Sequence, residues 1–216
     1  MLKMCLRSVR RLALDYNINV VVIDEPKYGF GWERNYNYAI FEKFQAQDYV
    51  DLYDRILRID VDILFNPECP DPFREFPADK LWGMFEDTGI MMRSRRHEMA
   101  LVQERLGKID PPWKKGYFNA GLILASKQHR DLFKLSEKTL NNLKSLGLGR
   151  FREQNIINWR ARKLGYDIGN MGYKWNHLHK FTKAGKDPQK SNVVHFAGKQ
   201  AGKVQRMREL YKYWYG

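Results

Sequence analysis

The stretch Tyr53-Asp-Arg-Ile-Leu-Arg-Ile-Asp60-Val-Asp62-Ile-Leu-Phe65 carries an apolar run directly into two aspartates. The run before Asp60 predicts a β-strand, and ligands bind at strand ends in open α/β sheets. Aspartates at positions i and i+2 project to the same side of an extended chain, so Asp60 and Asp62 can share one hard divalent cation. The alternative is a strand whose two carboxylates are simply solvated.

Strand-like and helix-like segments alternate along the rest of the chain. Apolar and β-branched runs predict strands at residues 19–24, 55–60, 81–86, 117–126 and 193–196. The spacing of apolar residues predicts helices at residues 2–14, 37–47, 93–106, 128–146 and 153–164. This alternation is typical of an α/β domain with a mostly parallel central sheet flanked by helices. Such domains normally open with a strand and this chain opens with a helix, so we expect the first strand to be missing.

Length and composition exclude several classes of protein. The chain has 216 residues, of which 44% are hydrophobic, so it can bury a core as one domain over residues 1–216 and is not disordered. It contains no run of about 18 apolar residues that could cross a membrane, and its N-terminus is not a secretory signal. The only cysteines, Cys5 and Cys69, favour a reducing compartment. We therefore expect a cytoplasmic location, which for a virus-encoded chain is the host cytoplasm.

Charge is distributed unevenly between the two halves of the chain. Residues 1–110 contain 16 basic and 19 acidic residues, whereas residues 111–216 contain 22 basic and 6 acidic residues. The formal net charge is +13, and the excess lies in the second half. A basic surplus indicates an anionic partner, and the candidates are nucleic acid, a phosphorylated ligand and a membrane surface.

Four motifs in order resemble those of nucleotide-sugar glycosyltransferases with the GT-A (Rossmann-like) fold. Residues 53–65 resemble the central Asp-x-Asp motif of glycosyltransferase family 8, the group of glycogenin and the bacterial galactosyltransferases. The later segments Tyr117-Phe-Asn-Ala-Gly121, Arg152-Glu-Gln-Asn-Ile-Ile-Asn158 and Val193-Val-His-Phe-Ala-Gly-Lys199 resemble its F-N-[AS]-G-V, D-Q-D-I-L-N and V-V-H-F-x-G motifs. Related glycosyltransferase domains of algal viruses are similar too. The resemblance implies a GT-A fold and sugar transfer from a nucleoside diphosphate sugar. A uridine diphosphate sugar is the first candidate for this donor.

The same resemblance assigns a metal site and a donor site. It implies that Asp60, Asp62 and His195 hold Mn²⁺ or Mg²⁺, which bridges the two phosphates of the donor. The residues that it places around the donor are Lys43, Asp60, Val61, Asn119, Gly121, Gly198, Lys199 and Lys203. Lys199 and Lys203 are alternatives, because the family's lysine position falls on Ala201 in this chain. Lys43 has a second interpretation as a solvated helix lysine.

Three residues are candidates for the chemistry of transfer: Asp87, Glu153 and Gln154. In a retaining enzyme, Gln154 or Glu153 would face the anomeric carbon. In an inverting enzyme, Asp87 or Glu153 would deprotonate the acceptor hydroxyl. Both outcomes stay open at this point. Residues 1–110 are expected to form the donor and metal half, and residues 111–216 the acceptor and phosphate-binding half.

Partners and competing functions follow from the same residues. The expected partners are a nucleoside diphosphate sugar and a glycan or glycoprotein acceptor, together with a further domain of a longer chain. A sugar nucleotidyltransferase also uses Asp-x-Asp with Mg²⁺, but it releases pyrophosphate. A basic nucleic-acid-binding protein is the third hypothesis, because the second half combines aromatic residues with lysines. No recognised nucleic-acid motif is present, so we expect no nucleic-acid partner.

Overall fold

The computed structural model describes residues 1–28, 39–87, 92–110, 115–136, 139, 152–198 and 201–216. Its α-helices are α1 (Leu2–Tyr16), α2 (Ala46–Val50), α3 (Pro72–Glu75), α4 (Met92–Leu106), α5 (Arg152–Lys163), α6 (His179–Lys183) and α7 (Lys203–Tyr215). Its strands are β1 (Arg55–Ile59), β2 (Ile63–Phe65), β3 (Leu81–Phe85), β4 (Phe118–Ser126), β5 (Ile168–Asn170), β6 (His177–Leu178) and β7 (Val193–His195). Short 3-10 helices cover Ala39–Gln45, Lys127–Phe133, Tyr173–Trp175 and Pro188–Lys190.

The described strands form two sheets. The first has the order β1-β4-β3-β5 and the second the order β2-β7-β6. In the first sheet β4 is antiparallel to both of its neighbours, whereas β3 and β5 are parallel. The α/β class with a central sheet flanked by helices is confirmed. The strand directions are mixed rather than mostly parallel. β4 lies inside the first sheet and runs opposite to both of its neighbours, so two of the three described pairings in that sheet are antiparallel.

β4 is the centre of the core. All nine of its residues are buried, which explains its continuous apolar sequence. On one face Ile123 packs in a cluster with Met99 of α4 and Ile157 of α5. On the other face Leu122 packs with Ile63 of β2. The strand is therefore covered on both faces, and it holds the residues that follow β1 against the rest of the domain.

The predicted strand at residues 19–24 is wrong. These residues have no regular secondary structure, and the side chains of Val21, Val22 and Ile23 are 45%, 41% and 39% exposed. The physical reason is that an apolar run becomes a strand only when a neighbouring strand completes its ladder of hydrogen bonds, and no described strand pairs with this segment. The predicted helix at residues 128–146 begins as a 3-10 helix over Lys127–Phe133, and most of its remainder lies outside the described residues.

The helix predicted at residues 37–47 appears, in its described part, as the 3-10 helix Ala39–Gln45 followed by α2, and the other predicted elements agree with the structure to within a few residues. The strands predicted at 55–60, 81–86, 117–126 and 193–196 appear as β1, β3, β4 and β7. Within the described part of the chain, no helix combines the length and the apolar character that crossing a membrane requires. Both cysteines are buried and free.

Candidate active site

The end of β1 and the end of β7 meet at a cluster of three potential metal ligands. Asp60, Asp62 and His195 each place a ligand atom within 4.8 Å of the others. The Nε2 atom of His195 lies 3.2 Å from Asp62 Oδ1 and 3.8 Å from Asp60 Oδ2. The His195 side chain is only 3% exposed, and those of Asp60 and Asp62 are 21% and 15% exposed. The structure therefore brings together the three residues that the sequence motifs nominated as metal ligands.

Two local features place His195 in this cluster. β7 pairs with β2 in a register that sets His195 opposite Ile63, the residue directly after Asp62. The imidazole ring lies against Gly121 in β4, where an added Cβ atom would be 2.0 Å from His195 Cε1. Only glycine allows the ring to approach the strand so closely. Gly121, which was expected to line the sugar pocket, thus supports the histidine directly.

Two cationic side chains hold Asp60. Lys43 Nζ lies 3.1 Å from Asp60 Oδ2 and 2.9 Å from Glu153 Oε1. Arg58 Nη2 donates to Asp60 Oδ1, and its Nη1 donates to the carbonyl of Ala120. Burial by itself would raise the pKa of Asp60, but the charges of Arg58 and Lys43 hold that pKa well below its ordinary value. Lys43 is 14% exposed in its side chain, so it is not a solvated helix lysine.

Asp62 has its own cationic partner at the start of α7. Lys203 Nζ lies 2.6 Å from Asp62 Oδ2 and 3.4 Å from the carbonyl oxygen of Gly198. Burial opposes ionisation of Asp62, but the proximity of His195 and the hydrogen bond from Lys203 lower its pKa. Of the two alternative lysines, Lys203 therefore reaches the cluster, and Lys199 lies outside the described residues.

The donor set fits a divalent cation. Carboxylate oxygens suit Mg²⁺ and Mn²⁺, and the added imidazole nitrogen favours Mn²⁺. The side chain between the two aspartates, Val61, is 57% exposed, so the turn that carries them is open to solvent. Glu153 Oε2 is buried without a hydrogen-bond partner in the described part of the protein. An unsatisfied buried acceptor beside such a cluster is the kind of atom that a bound ligand or ion completes.

Comparison with known families agrees with this geometry. The model of glycosyl transferase family 8 matches residues 6–201, which is most of the chain. The chain belongs to glycosyl transferase family 8. It is therefore a glycosyltransferase, and the family implies a nucleotide-sugar donor and a glycan acceptor. No significant match is found among curated protein sequences.

Solved glycosyltransferases share the fold of this family 8 glycosyltransferase. A glycosyltransferase involved in glycosylation of the major capsid of the virus PBCV-1 superposes with a TM-score of 0.61 at 12% identity, covering 97% of this chain and 91% of that chain. An active-site mutant of LgtC superposes with a TM-score of 0.58 at 14% identity, covering 99% and 92%. The galactosyltransferase LgtC with donor and acceptor sugar analogues superposes with a TM-score of 0.51 at 18% identity, covering 82% and 67%. At these identities the likeness shows the fold alone.

Glu153 and Gln154 lie at the start of α5 in this family 8 glycosyltransferase, and both are buried. Glu153 Oε1 forms an ion pair with Lys43 Nζ. Gln154 is tied to β4, because its Oε1 accepts from the backbone N–H of Ala120 at 3.0 Å. Its Nε2 lies 3.5 Å from Glu86 Oε2, at the limit of a hydrogen bond. Of these two residues, only Glu153 carries a buried oxygen atom without a hydrogen-bond partner in the described part of the chain.

Asp87, the third predicted catalytic residue, bonds the backbone that leads into β4. Its Oδ2 accepts from the backbone N–H of Gly116 at 2.8 Å, and its Oδ1 accepts from that of Tyr117 at 2.7 Å. Both oxygens therefore hold the segment that leads into β4. The neighbouring Glu86 is buried instead among the polar side chains of the site, where its Oε2 accepts from Asn119 Nδ2 at 3.0 Å. Glu86 is therefore a further buried carboxylate of the site, and the catalytic role of Asp87 stays a prediction.

Three polar residues of the site escaped the sequence analysis: Arg58, Glu86 and Asn176. A signal for Glu86 exists, since residues at i and i+2 share a face of a strand and Met84 is buried. Arg58 is also two residues before Asp60, so the same rule places both on one side of β1. Asn176 follows a 3-10 helix and carries no comparable signal. Its place in the site is visible only through its contacts.

Proposed function

We propose that this glycosyltransferase moves a sugar from a uridine diphosphate sugar to a hydroxyl group of a glycan or glycoprotein. We further propose that the transfer depends on Mn²⁺ or Mg²⁺ held by Asp60, Asp62 and His195. The observation that carries this proposal is the convergence of two carboxylates and one imidazole within 4.8 Å at the end of β1. The bound cation would neutralise the negative charge that develops on the departing diphosphate.

The charges around the cluster support the binding of metal and diphosphate together. Asp60, Asp62 and Glu153 carry three negative charges, which Arg58, Lys43 and Lys203 compensate in ion pairs. A divalent cation alone would add positive charge to a balanced site. A nucleoside diphosphate brings the compensating negative charge, so each ligand should bind more tightly when the other is present.

The lysines then have a second role. A cation bound to Asp60 and Asp62 competes with Lys43 and Lys203 for the same carboxylate oxygens. Ammonium groups released in this way would be available to stabilise the negative charge of the phosphates. Gly198 has a φ angle of +80° and carries no side chain, so we propose that the backbone approaches a phosphate there. We also retain Lys199 and the backbone of Val61 as donor contacts.

The residues at the sugar remain the ones nominated by sequence, with one addition. We propose that Asn119 and Gly121 border the donor sugar. Glu153 is the candidate that acts at the reacting carbon or on the acceptor hydroxyl, because its Oε2 has no partner in the described part of the chain. Gln154 then positions the strand beside the sugar through Ala120. Glu86 is the added carboxylate of the site, and Asp87 stays a candidate for deprotonating the acceptor hydroxyl.

The two halves of the chain have different proposed roles. Residues 1–110 contain Asp60 and Asp62 and form the donor and metal half, whereas residues 111–216 contribute His195 and Lys203 and receive the acceptor. The net positive charge of the second half is suited to an anionic acceptor or a following domain. Two free cysteines fit a reducing compartment, and on that ground we propose a cytoplasmic location.

The experiment that tests this function is a thermal-shift screen of nucleoside diphosphates with and without Mn²⁺. A ligand that binds only the folded protein raises its apparent stability by RT ln(1 + [L]/Kd). We expect a shift with uridine diphosphate plus Mn²⁺ that EDTA removes, and we expect Asp62→Ala and His195→Ala to lose it while remaining folded. Equal shifts in wild type and both variants would contradict the metal assignment. Release of pyrophosphate instead of nucleoside diphosphate during turnover would identify a nucleotidyltransferase.

A further inference from the structure

A chain of buried amide side chains connects Glu86 to His195. Asn119 Nδ2 donates to Glu86 Oε2 at 3.0 Å, and Asn176 Nδ2 donates to Asn119 Oδ1 at 3.1 Å. Asn176 Oδ1 in turn lies 3.0 Å from His195 Nδ1. The four residues are 4%, 7%, 0% and 3% exposed in this order. Water therefore has little access to these bonds, and each group must find its partner within the chain.

Two contacts of the Asn119 amide set the direction of its hydrogen bond with Glu86. Burial opposes ionisation of Glu86, but Arg95 and Lys180 hold its pKa below the ordinary value, so its carboxylate can only accept. The amide nitrogen of Asn119 must therefore face Glu86. Independently, the backbone N–H of Gly121 donates to Asn119 Oδ1 at 2.8 Å. A backbone N–H can only donate, so two separate contacts require the same orientation of this amide.

The orientation of Asn119 determines that of Asn176. Asn119 Oδ1 is an acceptor, so the group of Asn176 that faces it must be the NH₂ group. The oxygen of Asn176 then points at His195 Nδ1. An amide oxygen cannot donate, so a hydrogen bond at 3.0 Å requires that Nδ1 carry the proton.

This arrangement decides what the other ring nitrogen can do. A neutral imidazole with its proton on Nδ1 has its lone pair on Nε2. The Nε2 atom lies 3.2 Å from Asp62 Oδ1 and 3.8 Å from Asp60 Oδ2, so the lone pair faces two carboxylates. These three acceptor atoms repel one another, and a divalent cation bound between them would offset that repulsion. Metal-binding histidines almost always donate their other ring N–H in this way.

We propose that Asn176, oriented by Asn119, is a positioning residue that keeps the proton of His195 on Nδ1 and thereby leaves Nε2 ready to bind the divalent cation. This inference deepens the proposed function and rests on it for the identity of the bound ion. The position of the proton is a property of the protein alone. It can therefore be measured whether or not the cation binds.

Removal of the Asn176 oxygen has a specific expected consequence. Nothing then holds the proton on Nδ1, and Nε2–H can donate to Asp62 Oδ1 instead. A cation must displace that proton before it binds. Changes in groups that only orient a metal-binding histidine typically cost about 10–100-fold in metal affinity. We expect a loss of this size in Asn176→Leu.

The first test is ¹⁵N NMR of the wild-type protein labelled at its 5 histidines. The His195 signals are identified by their absence in His195→Asn, and Mg²⁺ replaces paramagnetic Mn²⁺. We expect a protonated Nδ1 with and without Mg²⁺. An unprotonated Nδ1 in the neutral ring of the wild type would overturn the proposal. Failure of Mg²⁺ and Mn²⁺ to bind the wild type, with Nδ1 still protonated, would contradict the proposed function instead.

The second test compares variants by isothermal titration with Mn²⁺ alone and by the same NMR signals. Asn176→Leu should lose the Nδ1 proton signal and bind Mn²⁺ about 10–100-fold more weakly. Asn119→Ala leaves the Asn176 oxygen in place but frees its amide to rotate, so it should populate both tautomers of His195. Asn119→Ala also provides the test of the proposal if Asn176→Leu does not fold. Wild-type Mn²⁺ affinity with an unchanged Nδ1 signal in a folded Asn176→Leu would refute the proposal.

Asn155→Leu is the matched control for these variants. Asn155 is 0% exposed like Asn176, and it also bonds two polar side chains. Its Oδ1 accepts from Tyr117 at 2.8 Å and its Nδ2 donates to Glu98 at 2.8 Å, and neither contact involves His195. The control should lose stability to a similar extent but keep the wild-type His195 signals and Mn²⁺ affinity. Equal losses of affinity in both variants would show that Asn176 acts only through stability, which would count against the proposal.

Discussion

Gly121→Ala is the substitution whose effect follows most directly from the structure. The new Cβ atom would lie 2.0 Å from His195 Cε1, 2.7 Å from His195 Nδ1 and 2.8 Å from Asn119 Oδ1. Ordinary contact begins at 3.4 Å, so the imidazole ring must move by about 1.4 Å. Metal–ligand distances tolerate only about 0.2 Å, so His195 would no longer reach a cation held by Asp60 and Asp62.

The expected magnitude has two parts. Crowding in a packed strand typically costs about 1–3 kcal/mol of unfolding free energy, which denaturant titration measures. Groups that only orient a metal ligand already cost about 10–100-fold in metal affinity, so displacement of the ligand itself should cost at least about 100-fold. Titration calorimetry with Mn²⁺, in the presence of uridine diphosphate, measures this second effect.

A neighbouring glycine separates the two effects. At Gly83 in β3 an added Cβ atom would lie 2.8 Å from Phe118 Cδ2, so Gly83→Ala crowds the same sheet without touching His195. We expect it to lose stability and to keep the wild-type Mn²⁺ affinity. A folded Gly121→Ala that binds Mn²⁺ as tightly as the wild type would show that the position of His195 does not control metal binding.

Two further predictions concern the neighbouring carboxylates Glu86 and Asp87. Asp87→Ala removes the acceptor for the backbone N–H groups of Gly116 and Tyr117, so denaturant titration should show a loss of about 1–3 kcal/mol. Its Mn²⁺ affinity should be unchanged, and a loss of affinity without a loss of stability would contradict this structural role of Asp87. Glu86→Gln should cost about 2 kcal/mol at pH 7. Since Arg95 lowers the folded-state pKa of Glu86 against the effect of burial, its stabilisation is complete above about pH 4.3 and is lost as pH falls through the folded-state pKa. Unfolding curves of wild type and Glu86→Gln should therefore converge in acid, and a constant difference would refute this origin of the stabilisation.

Local patterns in the sequence were sufficient for much of the secondary structure. β4 was predicted because its apolar run is continuous, and it proved to be buried along its whole length. The segment at residues 19–24 has the same kind of sequence, but no described strand pairs with it. Apolar character indicates that a run can be buried as a strand, whereas a neighbouring strand must supply the hydrogen bonds.

Some features of the candidate site could likewise be predicted from sequence, and others depended on the tertiary structure. Spacing alone indicated that Asp60 and Asp62 share one side of the chain, and the family motifs nominated His195. The partners of these residues could not be predicted, because Lys43 and Glu153 are 110 positions apart in sequence and meet only in the folded protein. Alternation from the buried Met84 indicates the side on which Glu86 lies, whereas its partners Asn119 and Arg95 belong to β4 and α4 and could not be predicted.

The sequence by itself determined the alternation of strands and helices, the Asp-x-Asp motif at a strand end and the membership of glycosyl transferase family 8. Only the tertiary structure decided that Gly121 makes room for His195 and that Asn176 faces His195 Nδ1. The physical reason is that periodicity reports which side of its own strand or helix a residue faces. Sheet order and register decide which distant residue meets it there, and in this protein those distant contacts orient the candidate metal ligand.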